Sequence, residues 1–154
     1  DFFFKEQHAI RHAQESRGLG DVYKRQTQDR INQFAEGTND HQFIHVDPEM
    51  AKSTPWGSTI AHGFLTLSLL SYLSADNTVM PENMQMAINY GLDKVRFMEA
   101  VPVDSKIRGR FVLTEVQDKK GGRWLTKHTA TIEIEGKDKP AAIAEPLTLY
   151  VVTE

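Results

Sequence analysis

The sequence predicts an α+β domain: one long apolar helix wrapped by an antiparallel sheet. Three observations predict it. Residues 59–75 carry Ile60, Phe64, Leu65, Leu67, Leu69, Leu70 and Leu73 on nearly every side of a helix, so that helix must be enclosed. Residues 84–152 alternate apolar and polar side chains in long runs, as strands with one buried face do. The string KKGGR at 119–123 joins two of these runs as a hairpin turn.

Length and composition fit one domain. The chain has 154 residues, 40% of them apolar and 25% charged. A net charge of −3 gives no general attraction to nucleic acid. The absence of cysteine removes disulfides, thiolate metal sites and thiol nucleophiles. The most apolar stretch, Ile60 to Leu73, is too short for a bilayer and carries His62, Thr66, Ser68 and Ser71. The start, DFFFKEQH, lacks a signal-peptide pattern. A cytoplasmic protein without a membrane partner is expected.

Residues 1–26 differ from the rest. Lys5 to Glu15 suit a short helix, and RGLGDVYKRQ at 17–26 reads as turn and loop. That string resembles translated sequencing adapter, so 1–26 is expected to be partly or wholly non-native and is assigned no function. Residues 27–154 form the domain. Thr27 caps a helix with Ile31, Phe34 and Ala35 on one face, which Gly37, Thr38 and Asn39 end. DHQFIHV has no helical period and is expected to be irregular or briefly extended. Asp47-Pro48-Glu49 starts a short helix, and Thr54-Pro55-Trp56-Gly57 breaks it. The long helix follows from about Thr59, capped by Ser58 or Thr59, to about Ala75. Then come one or two strands around Gly91, two strands flanking the hairpin, and a last strand over AIAEPLTLYVVT.

Two places can carry chemistry. Asp40 and His45 lie in a loop between helices, five residues apart. On one α-helix they would diverge by about 140°, so they meet only if the loop bends. A carboxylate and an imidazole suit acid–base work on water. Equally, an Asp can be a cap and a His a packed side chain. Gly63 stands near the start of the long helix, where an N–H lacks a helical acceptor and a missing Cβ lets a ligand carbonyl approach. Equally, it can serve helix–strand packing. A metal is not expected. His41 and His45 are four apart, with Asp40, Asp47 and His62 nearby, but the local pattern is not helical. His8 and His12 fall in the N-terminal segment, and no Gly-x-Ser-x-Gly elbow occurs. Lys94, Arg96, Lys106, Arg108 and Arg110 could meet phosphates or simply solvate strand faces.

The run Asn39-Asp40-His41-Gln42-Phe43-Ile44-His45-Val46-Asp47-Pro48, followed by Ile60-Ala61-His62-Gly63-Phe64-Leu65, resembles a known family. It is similar to the MaoC-like (R)-specific enoyl-CoA hydratases, in the branch called nodulation protein N-like. That family's pattern is roughly Gly-Asp-x-Asn-Pro-Leu-His-x-Asp-Pro, then Ile-(Ala/Val)-His-Gly-(Met/Phe)-Leu. The resemblance covers about residues 27–152.

The resemblance implies a hot-dog fold and a homodimer whose sheets join edge to edge. It implies reversible hydration of a trans-2-enoyl thioester to the (R)-3-hydroxyacyl thioester, with coenzyme A or acyl carrier protein as the thiol and no cofactor. Asp40 and His45 would activate water, and the Gly63 N–H would polarise the thioester carbonyl. Gln42, Phe43, Ile60, His62 and Ser71 would contact substrate. A hot-dog thioesterase and a non-catalytic acyl-thioester binding module are the competing functions. Asn39, Gln42, Phe43 and Asp104 depart from the family's usual Gly, Asn, Pro and Gly. Asn39 is expected to strain the loop that aims Asp40.

Overall fold

The structure is a computed structural model that describes residues 23–75, 78 and 80–153. The expected helix at Lys5–Glu15, with His8 and His12, lies outside the described residues. The elements are β1 (Lys24–Arg25), α1 (Gln28–Thr38), α2 (Phe43–Val46), α3 (Pro48–Ala51), α4 (Gly63–Ser68), α5 (Leu70–Ser74), β2 (Met84–Phe97), β3 (Lys106–Asp118), β4 (Arg123–Ile134) and β5 (Ala142–Val152). The five strands form one antiparallel sheet in the order β1-β3-β4-β5-β2. Residues 24–25 thus join the sheet edge, and Gln26 beside them is fully buried.

The helix ends follow local chemistry. Thr27 accepts from the Arg30 N–H at the start of α1, and Asn39 closes it at φ 58°. That left-handed angle explains why glycine suits position 39. Asn is among the few other residues that reach it readily, so the Asp40 loop forms with Asn in place. Asp104 holds a similar angle, φ 64°. Asp47 caps α3 by accepting from the N–H groups of Glu49 and Met50, each at 3.0 Å.

Several expectations need correction. Residues 24–25, read as part of a turn and loop, form β1 because they pair with Lys106 and Ile107 far along the chain. The DHQFIHV segment contains a one-turn helix, α2, where irregular or extended chain was expected. Four residues are too few to display a helical period. The long central helix begins at Gly63, with His62 as its N-cap, rather than at Thr59, and it is interrupted at Leu69. Thr59 to Ala61 is extended instead. Ile60 bridges Pro102, the Ala61 N–H donates to the Val101 carbonyl at 2.8 Å, and the Val103 N–H donates to the Thr59 carbonyl at 2.9 Å. Nor is the helix buried all round: Phe64 is 69% exposed and Tyr72 50%.

The sheet supplies the rest of the core. From Thr126 to Ile134, β4 alternates buried and half-buried residues, the period-2 signature of a strand with one enclosed face. Leu65, Leu70 and Leu73 of the helix pack with Ile107, Phe111, Ala130, Ile132, Ile134, Ala142 and Ala144 of the sheet. Each large aliphatic side chain fully buried there contributes roughly 1.5–3 kcal/mol. Gly109 allows the close approach: a Cβ there would lie 3.1 Å from Leu73 Cβ and 2.6 Å from the Phe111 ring. β2 stays one strand through Gly91, taking bulges between Asn89 and Gly91 and between Leu92 and Val95. Bulges sharpen the bend and twist of a strand, which helps the sheet curl round the helix.

The connection from β2 to β3 decides where the site lies. It leaves the sheet edge at Phe97 and runs back to Lys106 on the far side of β4 and β5. On the way the Met98 N–H donates to the Ala141 carbonyl at 2.8 Å, and residues 101–103 pair with 59–61. The start of α4 is therefore clamped between the α1–α3 loops and this crossing segment.

Candidate active site

His45 is 7% exposed, on α2. Its Nδ1–H donates to the Ile60 carbonyl at 2.7 Å. A carbonyl can only accept, so this bond fixes the proton on Nδ1 and leaves Nε2 with its lone pair. His62, 2% exposed, is fixed in the opposite sense. Its Nε2–H donates to the Asp40 backbone carbonyl at 2.9 Å, and its Nδ1 is buried without a hydrogen-bond partner. The two imidazoles stack with centroids 3.8 Å apart and planes 25° apart.

Asp40 completes the group. A carboxylate oxygen of Asp40 and one ring nitrogen each of His45 and His62 lie within 4.8 Å of one another. The loop therefore does bend to bring Asp40 toward His45, as the five-residue spacing required. Burial lowers the His45 pKa, with the neighbouring His62 acting in the same direction. The bond to Ile60 and the Asp40 charge oppose it in part. At neutral pH the uncharged imidazole is thus favoured at His45.

A cavity of about 330 Å³ opens beside His45. Ile60, Ala61, Gly63 and Thr66 line one side, and Phe97 to Val101 with Ala141 line the other. Gly63 is the first residue of α4, where an N–H has no intrahelical acceptor. A Cβ at position 63 would sit 3.2 Å from the Phe97 ring. Glycine therefore lets the Phe97 ring sit close to the first turn of α4 at the cavity wall.

Asp40, His45 and His62 are the described residues whose donor atoms could approach one metal ion. The stacking of the two rings does not suit such an ion. The lone pair of an imidazole nitrogen lies in the ring plane, and two nearly parallel planes send their lone pairs side by side. A tetrahedral ion needs them to converge. His41 takes no part, because it is exposed and bonded to Glu36 at 2.9 Å.

The other sequence-derived contacts divide. Ile60 lines the cavity, whereas His62 is buried behind His45 and Asp40. Gln42 and Phe43 are exposed at the start of α2 and do not line it. Ser71 lies beyond the Leu69 break and accepts from Asn89 Nδ2 at 3.3 Å. Of the strand cations, Arg108 and Arg110 are held by Glu133 at 2.6 and 2.8 Å, and Lys94 by Glu145 and Lys106 by Glu135, each at 3.2 Å, while Arg96 donates to the Val95 carbonyl at 2.8 Å. Met98, Glu99 and Ala100 were missed as cavity residues. They sit in the crossing segment, and nothing in their local sequence reveals which part of the chain they face.

The chain is similar to several known proteins. The family described as MaoC like domain matches residues 12–135. The 3-hydroxyacyl-thioester dehydratase Z of Mycobacterium tuberculosis is 47% identical over 125 residues, covering 81% of this chain and 82% of the relative. Nodulation protein N of Rhizobium leguminosarum bv. viciae is 48% identical over 123 residues, covering 79% and 76%. Among solved structures, the (R)-hydratase from A. caviae involved in PHA biosynthesis superposes with a TM-score of 0.68 at 24% identity, covering 82% of this chain and 89% of that one. This likeness shows a shared hot-dog fold.

Proposed function

The chain belongs to the MaoC-like dehydratase family, and from that premise we propose that it adds water reversibly to a trans-2-enoyl thioester, giving the (R)-3-hydroxyacyl thioester. The observation that carries the reading is the approach of the Asp40 carboxylate to within 4.8 Å of a ring nitrogen of His45, a cavity-lining imidazole whose Nδ1–H is held by the Ile60 carbonyl and whose Nε2 is left bare.

In the hydration direction a water molecule sits between the Asp40 carboxylate and His45 Nε2. His45 takes one proton as the water oxygen bonds to C3 of the enoyl group. The electron pair of the double bond moves toward the thioester carbonyl, and the enolate charge that develops there is met by the Gly63 N–H. The proton held by His45 is then delivered to C2. Water has been split into H on C2 and OH on C3, and the enzyme returns to its starting state. Asp40 orients the water and offsets the transient imidazolium charge. No resident cofactor enters this scheme. The thiol carrier, coenzyme A or acyl carrier protein, is part of the substrate.

The test is hydration of crotonyl-CoA and longer enoyl-CoA thioesters, followed by loss of enoyl absorbance. We expect turnover with a 3-hydroxyacyl product of R configuration. Release of free thiol with no hydration would instead identify a thioesterase. Tight acyl-CoA binding without any turnover would identify a binding module.

A second copy of the chain is the proposed partner. β2 is an edge strand of 14 residues, and Met86, Ile88, Tyr90, Leu92 and Phe97 on it are 43–59% exposed. Phe64 of α4 stands edge-on to Phe97, extending the apolar strip. An open apolar edge invites pairing with another strand. Sedimentation is expected to report twice the mass of the chain, and a monomer at micromolar concentration would remove this part of the proposal.

A further inference from the structure

We propose that Gln28 and Thr59 form a positioning pair that sets the place and tautomer of the His45 imidazole. This rests on the reading of His45 as the base.

Gln28 is the first residue of α1, distant in sequence from both segments that it joins. Its Nε2 donates one hydrogen to the His45 backbone carbonyl at 2.7 Å and the other to Asn32 Oδ1 at 2.8 Å. Its Oε1 accepts from the Thr59 hydroxyl. Both hydrogens of the amide are thereby used and its orientation is fixed. Thr59 is 1% exposed, and its own carbonyl is held by the Val103 N–H. The next residue, Ile60, supplies the carbonyl that fixes Nδ1–H of His45, and its N–H donates to the Ile44 carbonyl at 3.0 Å.

These bonds close a ring. One side chain holds the main chain of His45 at one end and, through Thr59, the strand that carries the Ile60 carbonyl at the other. The imidazole lies between those two supports. Breaking the link leaves the 44–45 and 59–60 segments joined by the Ile60 N–H bond to the Ile44 carbonyl, but it removes the side support that sets their angle, and the 2.7 Å bond that selects the tautomer weakens. Neither side chain lines the cavity, and both have their polar atoms engaged with each other, Asn32 and the His45 carbonyl.

The experiment is a set of variants, Gln28→Leu, Thr59→Val and Thr59→Ser, read in two ways. Nitrogen-15 NMR of the histidine rings, without substrate, reports the share of His45 carrying its proton on Nδ1. Steady-state hydration reports kcat and KM. We expect Gln28→Leu and Thr59→Val each to reduce the Nδ1–H share. We also expect each to lower kcat by roughly 10- to 100-fold, the range seen for groups that orient metal-bound histidines, with KM little changed. The double variant should be no worse than the more damaging single one, because both break one circuit. Thr59→Ser keeps the hydroxyl and should restore the wild-type ring pattern. An unchanged His45 tautomer in folded Gln28→Leu and Thr59→Val would overturn the proposal, as would a kcat loss that Thr59→Ser shares fully. The NMR result stands apart from turnover, so absence of hydration in the wild type would sink the enzyme reading without deciding this one.

Discussion

His45→Gln is expected to lower kcat for enoyl-thioester hydration by about 10²- to 10⁴-fold, the contribution typical of a positioned acid–base group. The substitution is chosen to spare the fold. A glutamine amide can still donate to the Ile60 carbonyl that His45 now engages at 2.7 Å, so the buried acceptor keeps a partner. What is lost is a nitrogen able to take a proton and return it. Asp40→Asn should cost a similar factor, since the amide is the same shape but cannot offset the imidazolium charge. pH supplies an independent signature. Burial holds the His45 pKa below its ordinary 6.5, so the wild-type kcat/KM should stay level through neutrality and fall only in more acidic solution. That acid limb should vanish from the residual activity of His45→Gln. Wild-type rates in either variant, with the chain shown to be folded, would mean that the reaction does not run through this pair.

The largest expected effect on stability comes from a different histidine. His128 on β4 is 6% exposed, and burial pushes its pKa down to about 4. The folded chain therefore resists protonation at a site where the unfolded chain binds a proton near pH 6.5. The stability gained from a neutral His128 is complete above pH 6.5 and is lost as pH falls toward 4. Over that window the cost is about 3 kcal/mol, a large part of the total stability of an ordinary domain. Denaturant unfolding of wild type and His128→Leu at pH 7 and pH 4 separates this group from all others. The two should respond differently to acid, with the variant losing about 3 kcal/mol less. Parallel losses in the two proteins would show that His128 is not the acid-sensitive group.

Much of the architecture was written in short-range chemistry. Thr27, Asn39 and Asp47 mark helix ends because a cap acts on residues two or three away, and the structure finds them there. The period-2 pattern of β4 and the turn at residues 119–123 are equally local. Asp40 and His45 were legible as a polar pair because the loop holding them is short. The remainder depends on distance along the chain. The helix was expected to start at Thr59, yet residues 59–61 found backbone partners at 101–103, and no propensity at position 59 announces those partners. His62 was expected from the resemblance to contact substrate, and what no local pattern announces is that its ring bonds the Asp40 carbonyl and stacks on His45. Gln28 meets His45 and Thr59 across gaps of 17 and 31 residues, beyond any window in which periodicity can be read.

The same bond from His62 to Asp40 has an evolutionary corollary. It is the main chain at position 40, not the carboxylate, that anchors the neighbouring ring. Chemistry and scaffold are therefore inherited separately at this point. On the proposed role of Asp40, a single codon change there would remove turnover while the anchor of His62 stays in place, so a lineage built on this frame could drift from catalyst to carrier without first becoming unstable.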